Sequence, residues 1–360
     1  MKHYCIIFAL FLISYSINAQ ALCGKDSLLT SETFLFRVEN GLTLKGLISL
    51  PIDLTKQTKI VVLVSPPLSI DKNYGGMFLS LAKSLAQQGI ATIRFDNRYF
   101  ADSTLMPKNE VVTMDDLAND VHYLMEALRK DKRFLHNPIG LLGHSEGGSA
   151  AIIEAARNED VSFLVTLSTC GISGVDFAYW QSTLPFSYSN FIPEKLRNAT
   201  VRDIYEKLQI VKNSDSEFEL KTAMTEQVRQ KAVVENLTLS EQEVQNIVSQ
   251  WTKPRFSTFV KYIPEIFLSK VMCPVLAVHG MMDGTLDWKA NLDGIEKAFI
   301  KSGKTNYKII ALENVNHSYE QATKIIPFFI SISYRPGRQP LYLEKEWLKI
   351  ALWINKYDKW

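Results

Sequence analysis

Residues 138–157 read PIGLLGHSEGGSAAIIEAAR. The apolar run IGLL has the texture of a buried strand, and EGGSAAIIEAAR has helical spacing with small residues at its start. Between them lies Gly143-His144-Ser145-Glu146-Gly147, a G-x-S-x-G pattern in a strand-turn-helix setting. So tight a turn forces Ser145 into a strained backbone conformation, and side chains at 143 and 147 would collide with the neighbouring strand or helix. Ser145 is thereby expected to stand out at the C-terminal edge of a sheet as a candidate nucleophile. Gly143, His144 and Gly147 form the elbow around it.

The same rhythm extends on both sides. ETFLFRV and LTLKGLISLP flank Asn40-Gly41 as a hairpin would. KIVVLVS (59–65), IATIRFD (90–96) and VSFLVTLST (161–169) read as strands, and FLSLAKSLAQQG (78–89) and MDDLANDVHYLMEALRKD (114–131) as helices. Strands and helices in alternation predict an α/β fold, a mostly parallel sheet with helices on both faces. The alternation stops at Cys170 and resumes at CPVLAVHG (273–280), followed by a helix in WKANLDGIEKAFIKSG, a strand at 307–314 and a closing helix in EKEWLKIALWINKY. Residues 170–272 therefore read as a helical insertion, so that 20–169 and 273–360 are the two parts of one core.

A serine hydroxyl needs an imidazole to take its proton, and the imidazole needs a carboxylate to fix its tautomer. Asp283, in GMMDG past one strand, and His317, in NVNHS past the next, both fall on loops at the strand edge where Ser145 emerges. Asp287 is the competing acid, with a solvated loop carboxylate as its plainer reading. His122 falls within a helix, His136 precedes the strand to Ser145, and His279 ends a strand, where packing or hydrogen bonding suits it better than catalysis.

Composition narrows the partners. The chain has 360 residues, 46% of them hydrophobic, and a formal net charge of +2. That is enough apolar material for a full core, with no field that would attract nucleic acid. The first residues, MKH and then the 14 apolar-rich positions from Tyr4 to Ile17, with Ala19 before Gln20, read as a signal peptide over residues 1–19. The apolar stretch is shorter than the ~20 residues of a membrane-spanning helix. Export to the periplasm or the medium is the expectation, with no stable membrane span once the leader is removed. Cys23, Cys170 and Cys273 then remain; Cys170 and Cys273 can pair, although two buried thiols is the plainer reading.

FDNR (95–98) followed by DST, GLLGHSEGG, CPVLAVHGMMD with the helix after it, and NVNH together resemble the α/β-hydrolases, more narrowly their bacterial esterase and serine-aminopeptidase-like branch. The resemblance runs from about Leu42 to His317 and is weakest in the insertion. It implies a carboxylic-ester hydrolase with Ser145 as nucleophile, Asp283 as acid and His317 as base, with neither metal nor organic cofactor, acting on a small-molecule ester. An oxyanion hole is implied at the backbone N–H of Glu146, with a second donor after the strand VVLVS. There the family's Gly-rich turn is replaced by Ser65-Pro66-Pro67-Leu68. Proline has no N–H, so the second donor falls to Leu68, to a hydroxyl such as that of Ser65, or is missing. Tyr99-Phe100-Ala101 stands where relatives tend to have glycines, and its bulk is expected to reshape a loop near the site.

In that fold the insertion lies over the nucleophile as a cap. Phe177, Tyr179, Trp180, Phe186, Tyr188 and Phe191 crowd its start. They suit the roof of an apolar pocket, and equally a set of aromatics that holds the cap in place. The charged runs SDSEFELK and TEQVRQK read as solvated helix faces. Three functions follow in order: a serine esterase for small or medium acyl chains, an amidase or aminopeptidase, and a non-catalytic binding protein whose oxyanion hole has decayed.

Overall fold

The computed structural model describes residues 29–68, 70–102, 111–187, 192–327 and 342–357. The expected leader, Cys23, Tyr188 and Phe191 lie outside them. Among the described residues the strands are β1 (Leu29–Arg37), β2 (Thr43–Pro51), β3 (Ile60–Val64), β4 (Ala91–Phe95), β5 (Ile139–His144), β6 (Val161–Leu167), β7 (Val275–Gly280) and β8 (Tyr307–Leu312). They form one sheet in the order β1-β2-β4-β3-β5-β6-β7-β8. The pairs β1–β2 and β2–β4 are antiparallel, and every pair from β4 onward is parallel. The hairpin expected around Asn40-Gly41 is β1–β2, with Gly41 at φ 78° in its connection.

Burial follows topology. β3, β4, β5 and β7 are buried at every residue, because helices cover both faces of the parallel part, whereas β2 exposes Thr43 and Lys45 in alternation with buried neighbours. One apolar core joins Val61, Leu63, Phe78, Leu81 and Phe163 to Trp347, Ile350 and Trp353 of the closing helix Glu344–Ile354. The Trp347 indole N–H also reaches Ser80 Oγ on helix Met77–Ala86, at 3.2 Å.

Ser173–Ile263 falls in a separate compact unit, whose helices are Gly174–Ser187, Glu194–Asn213, Glu217–Val234, Glu241–Trp251 and Pro254–Lys261. It has its own core, which includes Phe186, Leu208, Met224, Val248 and Trp251. Phe177 packs edge-on against Phe259 and Tyr179 against Tyr205, so these aromatics of the expected roof hold the unit together internally. Ser216 and Ser240 cap two of its helices, the latter in a full capping box with Glu243. Met224 and Val228 are buried while Lys221, Glu226 and Arg229 face water, as expected of solvated charged runs. From Pro264 onward the chain belongs with the sheet unit, although the sequence pattern had placed the insertion's end at 272. No disulfide joins Cys170 to Cys273; Cys170 is buried and Cys273 half-buried.

The FDNR run ties the sheet edge together. Arg98, 9% exposed, donates from Nε to both oxygens of Asp120 at 2.9 Å, with Nη2 2.8 Å from Oδ1. Asp120 lies on helix Met114–Lys130 and is fully buried. Removing one member of such a pair leaves an uncompensated buried charge. Asp120→Ala is therefore expected to lower unfolding free energy by about 3–5 kcal/mol, measured by urea denaturation.

Candidate active site

β5 ends at His144, and helix Glu146–Arg157 begins one residue after Ser145. Ser145 sits at φ 54°, ψ −127°, a conformation that a non-glycine residue adopts only under strain. Its neighbours hold it there. Ser145 N–H donates to Leu167 O at the end of β6, and Gly148 N–H returns to Ser145 O, each at 2.9 Å. A Cβ at Gly143 would stand 2.4 Å from Gly147 O, and one at Gly147 would stand 2.3 Å from Val64 O at the end of β3. Both contacts are with backbone, so both positions require glycine, as the sequence pattern had implied. Glu146 is the first helical residue, where backbone N–H groups lie outside the i→i−4 ladder.

Asp283 and His317 meet. His317 Nδ1 is 2.7 Å from Asp283 Oδ2, with the imidazole partly open to solvent and the carboxylate buried. Backbone bonds between their loops set this distance. Met281 N–H donates to Leu312 O and Met282 N–H to Val315 O. Gly280 has no side chain to keep the second loop away, since a Cβ there would lie 2.3 Å from Val315 O. Asp283 Oδ1 accepts from the backbone N–H groups of Thr285 at 2.7 Å and Leu286 at 3.0 Å, while Oδ2 also takes His279 Nε2 at 2.9 Å. Burial alone would raise this carboxyl. The charge of His317 and the hydrogen bonds from His279 and His317 outweigh it and hold the group well below its ordinary value. Asp287 caps helix Trp288–Ser302, its Oδ1 accepting from Lys289 N–H and Ala290 N–H, and it is Asp283 that the His317 ring meets.

His144 connects the elbow to the His317 loop. Its Nε2 is 2.8 Å from His317 O and its Nδ1 3.0 Å from the Tyr74 hydroxyl. A carbonyl only accepts, so Nε2 carries the proton and Nδ1 accepts from Tyr74. Burial, followed by the charge of His317, pushes His144 down to about 3, so it stays neutral. The two rings pack at 4.7 Å between centroids. Among the described residues no hydrogen bond joins Ser145 Oγ to the His317 ring; the structure brings His317 to Ser145's immediate chain neighbour. Of the other histidines, His122 pairs with buried Glu154, Nδ1 to Oε1 at 2.9 Å.

The expected second oxyanion donor differs. Leu68 N–H donates to Pro66 O at 2.8 Å, closing a three-residue turn, so this amide is already engaged within its own loop. Proline's fixed φ favours such a turn. Asn97 braces it, with Nδ2 2.6 Å from Leu68 O and 3.3 Å from Pro66 O, while its Oδ1 caps the short helical turn Arg98–Ala101. Tyr99 and Phe100 thus occupy a capped helical turn where a glycine loop was the family expectation. Asp96 holds the next loop through Lys72, both at its N–H, 2.8 Å, and at Nζ, 3.2 Å. Sequence reasoning missed these supporting roles of Asp96, Asn97 and Tyr74. The FDNR run was the only signal for the first two.

A family model described as the alpha/beta hydrolase fold matches residues 69–314, and the chain belongs to that family. No curated protein matches. Among solved structures the chain is similar to an esterase of Pyrococcus furiosus, at 12% identity over 91% of each chain with a TM-score of 0.52. It is also similar to a dienelactone hydrolase from Anabaena variabilis, at 15% identity over 92% of this chain and 98% of that one, TM-score 0.50. A Pseudomonas aeruginosa protein is 15% identical over 95% and 99%, TM-score 0.51. At these identities the likeness concerns the fold.

Two outcomes follow from the site's packing and charge. Gly147→Ala forces backbone to move at Val64 and should cost about 1–3 kcal/mol or more of unfolding free energy, read by urea denaturation. Asp283→Asn should be about 1.5–3 kcal/mol less stable than wild type at pH 7, through the loss of charge-assisted hydrogen bonds. Because the folded carboxyl lies below its unfolded value of 3.8, the ionised group's contribution is complete above that pH and is lost as pH falls through the folded value. The gap between the two proteins should accordingly narrow on acidification below pH 3.8, in denaturation series at pH 7, 4 and 3.

Proposed function

We propose that this α/β-hydrolase is a serine esterase for carboxylic esters of small or medium acyl chains, working through an acyl-enzyme. The observation that carries the reading is the His317 Nδ1 to Asp283 Oδ2 contact of 2.7 Å, made at the sheet edge where Ser145 is held in its strained turn. Asp283 accepts from His317 Nδ1–H, which leaves Nε2 as the basic nitrogen. His317 Nε2 takes the Ser145 proton as Oγ attacks the ester carbonyl. The tetrahedral intermediate then collapses, breaking the ester C–O bond, and the leaving alkoxide takes that proton and departs as the alcohol. Water repeats the sequence on the acyl-enzyme: His317 removes its proton, the acid is released, and Ser145 recovers its hydrogen.

Glu146 N–H stabilises the oxyanion in this scheme. A hole with one missing donor gives up ~2.7–4 kcal/mol of transition-state stabilisation, a factor of about 10² to 10³ in rate, and the engaged Leu68 amide makes a slow enzyme the expectation. The same engaged amide supports a second reading, a binding protein that has kept the fold without turnover. The proposed active form is the exported chain from Gln20.

Hydrolysis of p-nitrophenyl butyrate and octanoate by that chain, beside Ser145→Ala and with an aminoacyl p-nitroanilide for comparison, tests the esterase. Loss of at least ~10³-fold in kcat on substitution is expected, with esters preferred over the anilide. Equal rates for the two proteins, together with no labelling of Ser145 by a fluorophosphonate, would leave the binding reading standing.

A further inference from the structure

His279 is a buried histidine that the mechanism above does not use. It stands next to last in β7, is 0% exposed, and places Nε2 2.9 Å from Asp283 Oδ2. An ionised carboxylate only accepts, so Nε2 carries the proton and donates it. The other nitrogen, Nδ1, is buried and finds no partner among the described residues. Only the Nε2–H side of the ring is therefore engaged.

The two oxygens of Asp283 are thereby divided. Oδ1 belongs to the backbone amides of Thr285 and Leu286, and Oδ2 is shared between His279 and His317. The amides anchor the carboxylate without His279. An apolar side chain would also fill the site without leaving a nitrogen unpaired. What His279 alone adds is a second N–H on the oxygen that supports His317. We propose that His279 is a positioning residue that acts through Asp283 to limit the base strength of His317, which keeps that imidazole neutral and able to accept the Ser145 proton at lower pH. The role in turnover rests on the esterase reading; the coupling between the two histidines does not.

Other groups facing the cluster leave this coupling intact. His144, from the end of β5, is neutral. Tyr319, on the loop after β8, donates its hydroxyl to Val278 O, and burial pushes it up. Glu346, whose charge reaches Tyr319 from the closing helix, has Lys349 Nζ at 2.8 Å.

The sign separates this role from a structural one. Removing the His279 N–H returns electron density to Oδ2, strengthens its hold on the His317 imidazolium and raises the pH at which His317 loses its proton. If His279 merely packed, its loss would let Asp283 drift and lower that pH. The test is an NMR pH titration of the His317 ring in the Ser145→Ala background, where nothing need be hydrolysed. It compares His279→Leu with His279→Gln, whose amide N–H can still reach Oδ2. The midpoint is expected to rise by about 0.5–1 pH unit with leucine and to stay within about 0.2 with glutamine. In the Ser145 enzyme the acid limb of kcat/KM should move by the same amount, costing up to about 10-fold below the limb and little above pH 8.5.

An unchanged or lowered midpoint with leucine, or glutamine behaving as leucine does, overturns the proposal. Should the leucine variant not fold, His279→Asn, too short to reach Oδ2, carries the same expectation. A moved midpoint in a protein that hydrolyses no ester sinks the esterase reading alone. An unmoved midpoint in an active esterase sinks this inference alone.

Discussion

The backbone turn at Ser145 is the constraint around which the sheet unit is arranged. A residue at φ 54°, ψ −127° costs of order 1–3 kcal/mol and persists only where its surroundings over-determine it. Here they do. The end of β3 touches Gly147, the end of β6 accepts the Ser145 N–H, and Gly143 and Gly147 give up their side chains so that strand and helix meet backbone to backbone. The fully buried parallel strands β3 and β5 supply the rigidity. The reward for this strain is position: a hydroxyl at the sheet's C-terminal edge and a helix N-terminus one residue further on.

Several loops at that edge are fastened to one another. His144 reaches His317 O, Asn97 reaches Leu68 O, Asp96 reaches Lys72, and Met282 N–H reaches Val315 O. Loops held this way place side chains with the precision of the sheet, which matters because an imidazole and a carboxylate must stay within hydrogen-bond reach through a reaction. The cost is a set of buried polar groups, some of which find no partner among the described residues. His279 Nδ1 is one that lies in the cluster around Asp283.

What the sequence made legible divides along the same line. The strand and helix rhythm, the elbow glycines and the pair Asp283 and His317 were readable because each rests on local pattern: burial period, turn chemistry, position just past a strand. The contacts of His144, Asn97, Tyr74 and Asp96 were not. His144 and His317 are 173 positions apart, and Tyr74 and His144 are 70 apart, so no window of sequence contains either pair. The sequence points to the Leu68 amide as a donor because it shows which N–H groups Pro66 and Pro67 remove. It does not show that the surviving one folds back onto Pro66 O. Its position gives His279 a packing or hydrogen-bonding role, and it does hydrogen-bond. Its partner decides its importance, and the partner is known only once β7 and its following turn are seen together.

Asp283 and Asp287 show how far local reasoning reaches. Each uses one carboxylate oxygen in the same way, to accept the backbone N–H groups two and three residues further on. By turn geometry alone the two are equivalent, and either sequence position satisfies an acid in a loop after a strand. The second oxygen distinguishes them. Asp287 is half-buried at a helix start, where the capped amides and solvent suffice for its charge. Asp283 has no solvent at all, and a carboxylate so placed would protonate unless its remaining oxygen met donors of its own. Two imidazoles supply them, one buried and one partly open to solvent. Asp283 is thus set apart less by its own loop than by the histidines that converge on it, and burial leaves those imidazoles and the two amides as its surroundings.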